Sequence, residues 1–210
     1  MKVTKEQIYE TLKERDGEDI FNRFLSSAVA VCGLGGLGSN IATALARAGV
    51  GKLIIVDFDR VDISNMNRQQ YVLDQIGMLK VDALYANLKA INPYMVIEVY
   101  NEKITADNAF DMLKDADVIC EAFDNADAKA MLLDTVCEKM PDKYFVCASG
   151  MAGLHDPNSI QTKKLGSSIY ICGDFKSSIE DEALYSSGAM LCASHQAHTI
   201  LRILAGNCEQ

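Results

Sequence analysis

Positive charge is scarce in this sequence. Its 210 residues carry 20 Lys and Arg against 29 Asp and Glu, so the formal net charge is −9 and the isoelectric point is near 4.8. Proteins that bind nucleic acids or anionic membranes need a basic surface to meet the phosphates. The acidic total argues against a nucleic-acid partner, and any substrate phosphates must be met by a few local residues.

The sequence also lacks a membrane-spanning segment. No uninterrupted apolar run approaches the ~20 residues that cross a bilayer, and the chain does not open with a basic stretch followed by an apolar one. We expect a cytoplasmic protein without membrane attachment.

Paired cysteines are missing as well. The seven cysteines are an odd number, and none forms a C-x-x-C pair. Several lie in apolar, strand-like runs, so we interpret them as buried thiols rather than disulfides, and we do not expect zinc. They are Cys32, Cys120, Cys137, Cys147, Cys172, Cys192 and Cys208.

What is present suits one globular domain, with 49% hydrophobic and 23% charged residues. We divide it into a helical N-terminal segment (1–27), a nucleotide-binding core (28–150) and C-terminal strands and helix (151–210). The N-terminal segment is predicted to form one or two short helices that pack on the domain or on a partner subunit.

Four glycines follow the first predicted strand and satisfy the pattern G-x-G-x-x-G. Gly33 permits a tight turn, and Gly35 lets backbone N–H groups approach a phosphate without a Cβ in the way. Gly38 lets the next helix lie close to the strand. This strand–turn–helix order predicts a phosphate-binding turn.

The next elements support a nucleotide site. Ser39 or Asn40 can cap the first N–H groups of the helix, where the helix dipole favours an anion. The second predicted strand ends at Asp57, where an acidic side chain would meet a ribose hydroxyl. The pattern predicts nucleotide binding without specifying the nucleotide.

Strand-like segments alternate with helical patterns five times. Right-handed crossovers then give a Rossmann-like, doubly wound α/β fold with a mainly parallel sheet and helices on both faces. Beyond residue 149 the pattern changes to two further strands, which we expect to be antiparallel, and a final helix over about 189–204. The predicted strands are 29–32, 52–56, 96–100, 117–123, 144–148, 160–164 and 168–172.

The loop over residues 57–70 is long and polar for a connection between a strand and a helix, where ~2–6 residues are usual. It carries Arg68, while Lys80 stands near the start of the next helix and Asp124 follows the fourth strand. A dehydrogenase has no general need for these groups. Nucleotidyl transfer does, because charge on phosphate oxygens is met by cations and a metal-bound carboxylate. The combination favours ATP over NAD.

A series of motifs runs in order along the chain: Gly33-Leu34-Gly35-Gly36-Leu37-Gly38-Ser39-Asn40, Ala48-Gly49-Val50-Gly51, Asp57-Phe58-Asp59, Ser64-Asn65-Met66-Asn67-Arg68-Gln69, Ile76-Gly77 with Lys80, Ile91-Asn92-Pro93 and Phe123-Asp124-Asn125. In these motifs the sequence resembles the ThiF/MoeB/HesA family, whose members adenylate sulfur-carrier proteins and are related to ubiquitin-activating enzymes. Within the family, the short form looks most like a compact ThiF-type protein of thiamine biosynthesis.

The resemblance implies ATP-dependent adenylation of the C-terminal Gly-Gly carboxylate of a small ubiquitin-like, ThiS-like sulfur carrier, with release of pyrophosphate. It also implies a homodimer in which each active site takes an arginine from its partner; we favour Arg15 over Arg23. Asp124 would hold Mg²⁺, and Arg68, Lys80, Asp124 and Arg15 would be catalytic. The implied ATP-binding residues are Gly33, Gly35, Gly36, Gly38, Asp57, Asp59, Asn65, Arg68, Gln69 and Lys80.

Longer relatives carry C-x-x-C zinc ligands and a sulfur-accepting cysteine after the nucleotide domain. This chain has no such pair, and a packing role is favoured for Cys172 and Cys192. His195 and His198, three apart on the final helix, are interpreted as surface or partner-facing residues rather than metal ligands.

Other roles stay open for several site residues. Arg68 and Lys80 could be solvated cations, the lysine extending along an apolar stripe. Asp59 and Asp62 could shape the loop through hydrogen bonds to its backbone, and Asp124 could cap the next helix.

Three alternative functions also stay open. The first is adenylation of another carboxylate, as in tRNA threonylcarbamoyladenosine dehydratases. The second is a nicotinamide-dependent oxidoreductase, and the third is a non-catalytic scaffold that binds a nucleotide.

Overall fold

A computed structural model describes residues 3–207, so Cys208 lies outside the described part. In that range seven strands form one sheet in the order β3-β2-β1-β4-β5-β7-β6. All neighbouring strands run parallel except β6, which is antiparallel to β7. The strands are β1 (Ala28–Cys32), β2 (Lys52–Val56), β3 (Val96–Tyr100), β4 (Val118–Glu121), β5 (Tyr144–Ala148), β6 (Gln161–Leu165) and β7 (Ile169–Gly173).

Helices cover both faces of the sheet, which confirms the predicted fold class. Two apolar clusters fill the space between sheet and helices: one packs α3, α4 and α7, and the other packs α5 and α6. The helices are α1 (Lys5–Asp16), α2 (Glu18–Ser26), α3 (Gly38–Arg47), α4 (Lys80–Ile91), α5 (Ala109–Leu113), α6 (Ala126–Lys139) and α7 (Ser186–Leu204).

The crossovers place β1 in the middle of the sheet, between β2 and β4. The connections after β1 and β2 lead to one side, and β4 lies on the other, so the order of strands reverses beside β1. Ligands of such folds bind outside the carboxyl ends of the strands at this point. The glycine turn that follows Cys32 lies there.

The N-terminal segment packs at the amino ends of the strands, at the opposite end of the sheet from the glycine turn. Gly51 and Lys52, at the amino end of β2, donate backbone hydrogen bonds to the carbonyls of Phe24 and Ser27. Phe21 and Phe24 of α2 are buried, whereas α1 buries none of its residues. The two predicted helices are therefore present, and α2 is the one anchored in the domain.

Some details differ from the predictions. The final helix begins at Ser186 rather than near Ala189. Cys137 is exposed on α6, whereas Cys32, Cys120, Cys147, Cys172 and Cys192 are buried free thiols. In the described part of the chain, no helix has the length and apolar character needed to cross a bilayer.

Candidate nucleotide site

The glycine turn has the close packing that its sequence predicts. Gly33 has φ +92°, and a Cβ there would lie 2.8 Å from the carbonyl oxygen of Ala122. A Cβ on Gly38 would lie 1.8 Å from the carbonyl oxygen of Gly33. Only glycine allows α3 to start this close to β1.

The two polar residues after the turn do not cap the helix, so that prediction was wrong. The cap position is Leu37, which offers no side-chain hydrogen bond. Instead the Ser39 hydroxyl donates to the carbonyl of Gly35 at 2.6 Å, and the Asn40 Nδ2 donates to the carbonyl of Gly36 at 2.6 Å. Both side chains fold back onto carbonyls one turn earlier and leave the N–H groups free.

Four backbone N–H groups at the turn are therefore available as hydrogen-bond donors. The N–H groups of Gly35, Gly36, Leu37 and Gly38 find no acceptor within residues 3–207. They lie at the N-terminus of α3, where the helix dipole adds partial positive charge. This arrangement suits a phosphate, which only accepts hydrogen bonds.

Asp57 supports the turn from the end of β2. Its carboxylate is 8% exposed; Oδ2 accepts a hydrogen bond from the N–H of Leu34 at 2.6 Å, and Oδ1 accepts one from the N–H of Asp59 at 2.8 Å. Tyr71 donates its hydroxyl to the carbonyl of Leu34 at 2.8 Å, and burial together with the two aspartates raises the pKa of that hydroxyl. Both backbone groups of Leu34, in the two successive peptides that open the turn, are thus held.

Lys80, the first residue of α4, points toward these carboxylates. Its side chain is nearly buried, and Nζ lies 2.8 Å from Oδ2 of Asp59 and 4.0 Å from Oδ2 of Asp57. The alternative of a solvated lysine was therefore wrong. The structure brings together one cation and two carboxylates beside the glycine turn.

Arg68 and Gln69 lie over the same turn. A Cβ on Gly36 would be 3.3 Å from Cγ of Arg68, and one on Gly35 would be 3.8 Å from Nε2 of Gln69. The half-buried guanidinium of Arg68 donates to the carbonyl of Ser64 at 3.1 Å and to the amide oxygen of Asn67 at 2.8 Å. Both predicted residues are therefore next to the free N–H groups.

The buried side-chain oxygen Oε1 of Gln69 has no hydrogen-bond partner in the described chain, and the residue is only 9% exposed. A buried polar group without a partner costs free energy, about 1–3 kcal/mol for a neutral one. A nucleotide bound against Gly35 would bring a hydroxyl group that can donate to this oxygen. The residues present therefore fit a nucleotide.

Asn65 and Asp62 shape the loop. The carboxylate of Asp62 accepts a hydrogen bond from the N–H of Ser64 at 2.9 Å, and the amide oxygen of Asn65 accepts one from the N–H of Asp62 at 3.0 Å. The loop-shaping interpretation is confirmed for Asp62, whereas the side chain of Asp59 pairs with Lys80. The structure shows Asn65 engaged in this turn rather than in contact with the glycines.

Asp124 is an exposed carboxylate just beyond β4. The cap of α6 is Asn125, whose Oδ1 accepts a hydrogen bond from the N–H of Ala128 at 2.9 Å, so the capping role considered for Asp124 was wrong. Asp124 itself has no partner among residues 3–207. A single free carboxylate fits Mg²⁺, which commonly binds one or two carboxylates together with substrate phosphates and water.

A buried ion pair behind this carboxylate was missed by the sequence analysis. Glu121, the last residue of β4, is 1% exposed, and its oxygens lie 2.8 and 3.0 Å from Nζ of Lys129. The N–H of Phe123 donates to the same carboxylate at 2.6 Å. Burial raises the pKa of Glu121, and Lys129 opposes that shift. A glutamate in an apolar strand, eight residues before a lysine, was the available signal.

The two N-terminal arginines are not brought to the site of their own chain. Arg15 lies in the last turn of α1. Leu12 of the same helix packs against Gly49, near the amino end of β2 and thus at the opposite end of the sheet from the glycine turn. Arg23 lies beside Gly206, where a Cβ would be 3.0 Å from its Nη1.

Among the described residues of the C-terminal half, the cysteines and histidines do not form a reactive group. Cys172 and Cys192 are fully buried, and burial raises both thiol pKa values, that of Cys192 to about 12. Nδ1 of His195 lies 3.1 Å from the hydroxyl of Thr162, and His198 is exposed. Among residues 3–207 there is no group of three or more His, Cys, Asp or Glu side chains that could hold a metal ion.

Comparisons with known proteins agree with this geometry. The sequence profile of the ThiF family matches residues 8–210. Ubiquitin-like modifier-activating enzyme 5 of Bombyx mori is 37% identical over 136 residues, which are 60% of this chain and 34% of that enzyme; the Drosophila mojavensis enzyme is also 37% identical. The match thus covers about a third of the length of these curated relatives.

Solved structures share the fold. The E. coli tRNA N6-threonylcarbamoyladenosine dehydratase in complex with ATP superposes with a TM-score of 0.87 at 20% identity, covering 99% of this chain and 98% of that one. E. coli MccB with AMPCPP and MccA gives a TM-score of 0.71 at 16% identity, covering 91% and 60% of the two chains.

Proposed function

The chain belongs to the ThiF family, and from this premise we propose that it binds MgATP and adenylates the C-terminal carboxylate of a small protein partner. One observation carries the proposal. Four free N–H groups, the buried carboxamide of Gln69 and the cations of Arg68 and Lys80 surround a single glycine turn. A nicotinamide dehydrogenase would leave Arg68 and Lys80 without a role at its dinucleotide.

The proposed roles follow from the positions of these residues. The free N–H groups at Gly35 and Gly36 receive phosphate oxygens. Asp57, which already holds the turn, has lone pairs left for ribose hydroxyls. Arg68 and Lys80 neutralise charge on the triphosphate, and Asp124 is the carboxylate that would hold Mg²⁺, which neutralises phosphate charge when bound.

The reaction is a displacement at the α-phosphorus. A carboxylate oxygen of the acyl substrate forms the new P–O bond, the bond to the bridging oxygen of the β-phosphate breaks, and pyrophosphate leaves with that electron pair. No proton transfer is required, so the task of the protein is to position both anions and to stabilise the developing charge. Arg68 and Lys80 are the groups proposed for that task.

For the acyl substrate we propose the Gly-Gly terminus of a ThiS-like sulfur carrier, in thiamine or related sulfur-cofactor biosynthesis. We also propose a homodimer in which Arg15 of each chain reaches the active site of its partner. The position of Arg15 far from the site of its own chain, on a helix that buries no residue, supports this arrangement.

A second candidate substrate is the carboxylate of threonylcarbamoyladenosine in tRNA. The supporting observation is the match to the E. coli dehydratase over nearly the full length of both chains. The net charge of −9 argues against it, because a tRNA-binding surface needs basic residues.

Thermal melting with MgATP and, separately, with NAD⁺ tests the nucleotide. A ligand at about 100 times its dissociation constant stabilises by about 2.7 kcal/mol, which is a shift of roughly 5–10 °C for a chain of this size. We expect the shift with MgATP alone. A shift with NAD⁺ alone would contradict the proposal and favour an oxidoreductase.

A further inference from the structure

Asn40 connects two parts of the nucleotide site, the glycine turn and the loop segment that carries Arg68. Its Nδ2 donates to the carbonyl of Gly36 at 2.6 Å and to the carbonyl of Arg68 at 3.2 Å. Its Oδ1 accepts a hydrogen bond from Nε2 of Gln70 at 2.6 Å. One half-buried carboxamide therefore connects the glycine turn to a loop segment that lies 28 residues further along the chain.

The bond to Gly36 also sets the direction of a backbone donor. In a trans peptide the carbonyl and the following N–H point in opposite directions. Holding the carbonyl of Gly36 on Asn40 therefore directs the N–H of Leu37 to the other side of the peptide, where it has no acceptor within the described chain. Rotation of this peptide away from a phosphate would break the bond to Asn40.

The hydrogen bonds of Asn40 with Arg68 and Gln70 fix the loop segment that carries Arg68. The backbone of Arg68 otherwise depends on the exposed loop, through its N–H bond to the carbonyl of Asn65 at 3.2 Å. Asn40 instead ties Arg68 to α3, which is a rigid element of the core. A guanidinium on a loop is aimed accurately only if its backbone is held in this way.

We propose that Asn40 is a positioning residue that aligns the phosphate-binding N–H groups of the glycine turn with the guanidinium of Arg68. This inference rests on the proposed function, since it concerns how the same site holds and activates ATP. Asn40 touches neither the reacting atoms nor the metal; it acts through Gly36 and Arg68.

A matched control is available in Asn87 of α4. Its Nδ2 donates to the carbonyl of Gln70 at 2.8 Å and to Oε1 of Gln75 at 3.1 Å. It supports the same loop and, among residues 3–207, forms no hydrogen bond with the glycine turn or with Arg68. Asn87→Leu thus removes a similar set of loop bonds and leaves the proposed link intact.

The test measures ATP–pyrophosphate exchange for wild type, Asn40→Leu, Asn40→Asp and Asn87→Leu. Small misplacements of reacting groups cost up to about 100-fold in rate, so we expect both Asn40 variants to lose about 10-fold to 100-fold. Asn40→Asp keeps the acceptor for Gln70 but loses the donor, and it should fail as Asn40→Leu does. Asn87→Leu should stay close to wild type.

A double-mutant cycle with Arg68→Ala measures the coupling between Asn40 and Arg68 in the exchange rate. A general loss of stability would not produce such a coupling. We expect the fold-loss in exchange rate caused by Arg68→Ala to be about tenfold smaller in the Asn40→Leu background than in wild type. The reason is that a misaligned guanidinium already contributes little to the rate. Equal penalties in both backgrounds would overturn the inference. An equal loss for Asn40→Leu and Asn87→Leu would overturn it too.

The dissociation constant of MgATP is measured by calorimetry on the same proteins. If wild type binds MgATP but exchanges no pyrophosphate with any carboxylate offered, the proposed function fails. The role of Asn40 is then decided by the Asn40→Leu/Arg68→Ala cycle measured as MgATP dissociation constants. If wild type exchanges and the cycle is additive, the proposed function stands and only the inference about Asn40 fails.

Discussion

The ammonium of Lys80 lies 2.8 Å from the carboxylate of Asp59 and 4.0 Å from that of Asp57, beside the glycine turn. Lys80 is the more buried of the two, since its side chain is 9% exposed against 50% for Asp59. The lysine is thus held beside the glycine turn by a carboxylate that is itself half exposed to solvent. This geometry predicts separate roles for the two residues in binding and in catalysis.

Replacement of either site cation should affect the reaction more than ATP binding. Charge on the phosphate oxygens is greatest in the transition state, so Lys80→Met or Arg68→Ala should lower pyrophosphate exchange by about 100-fold or more. The MgATP dissociation constant, measured by calorimetry, should change far less. Lys89→Met on the same helix and Arg60→Ala in the same loop are the matched controls. Equal losses of rate and affinity would remove the catalytic assignment.

Asp57 and Asp59 should differ sharply in stability. Asp57→Asn removes a buried acceptor from the N–H of Leu34 or from that of Asp59, and an unsatisfied buried donor costs about 1–3 kcal/mol. Asp59→Asn loses a partly exposed ion pair, worth about 0–1 kcal/mol. We expect the ligand-free melting temperature to drop by roughly 5 °C for Asp57→Asn and to change little for Asp59→Asn. The reverse order would contradict the support of the turn by Asp57.

Gly35 and Gly38 should separate binding from folding. An added Cβ at Gly35 meets open space, with Nε2 of Gln69 at 3.8 Å, whereas one at Gly38 collides with the carbonyl of Gly33 at 1.8 Å. Gly38→Ala should therefore destabilise the protein by about 1–3 kcal/mol or more. Gly35→Ala should melt within about 2 °C of wild type and lose the shift given by MgATP. Retention of that shift would mean that phosphate does not approach Gly35.

Lys129→Met should make the stability of the protein depend more strongly on pH. The pKa of Glu121 is raised in the folded protein, so its favourable contribution is present at low pH and is lost as the pH rises above the unfolded value of about 4.3. Without Lys129 the pKa rises further, and the variant pays about 3 kcal/mol for an unpaired buried charge near neutral pH.

The melting temperature of Lys129→Met should accordingly fall farther below wild type at pH 8 than at pH 5. Lys139→Met on the same helix serves as the control, and Glu121→Gln combined with Lys129→Met should remove most of the pH dependence. A constant difference between pH 5 and pH 8 would show that Glu121 does not carry the effect.

Much of the fold could be predicted from local patterns. Strands β2, β3 and β5 begin and end at the predicted residues. For β2 and β5 the signal is an apolar run of a covered parallel sheet, and for the edge strand β3 it is the β-branched content. The role of Gly38 was also predictable, since close packing of strand and helix is a property of the motif itself.

What the sequence could not predict depends on contacts between distant segments. Ser39 and Asn40 have the composition of helix caps, but Gln70, about 30 residues away, presents a backbone N–H to Ser39 and a side-chain amide to Asn40. The pairing of Glu121 with Lys129 depends on how α6 folds back over the end of β4. The bond that the side chain of Asn65 accepts from the N–H of Asp62 was not predicted either, and the contact of Asn65 with the triphosphate stays a prediction.

The most direct test of the account is ATP–pyrophosphate exchange in the presence of a ThiS-like carrier that ends in Gly-Gly. The same carrier with an amidated C-terminus lacks the nucleophilic carboxylate, and tRNA bearing threonylcarbamoyladenosine offers the competing one. The account predicts exchange with the free carrier, none with the amidated carrier and none with the tRNA. Exchange with the tRNA alone, or MgATP binding without exchange for any of these substrates, would contradict it.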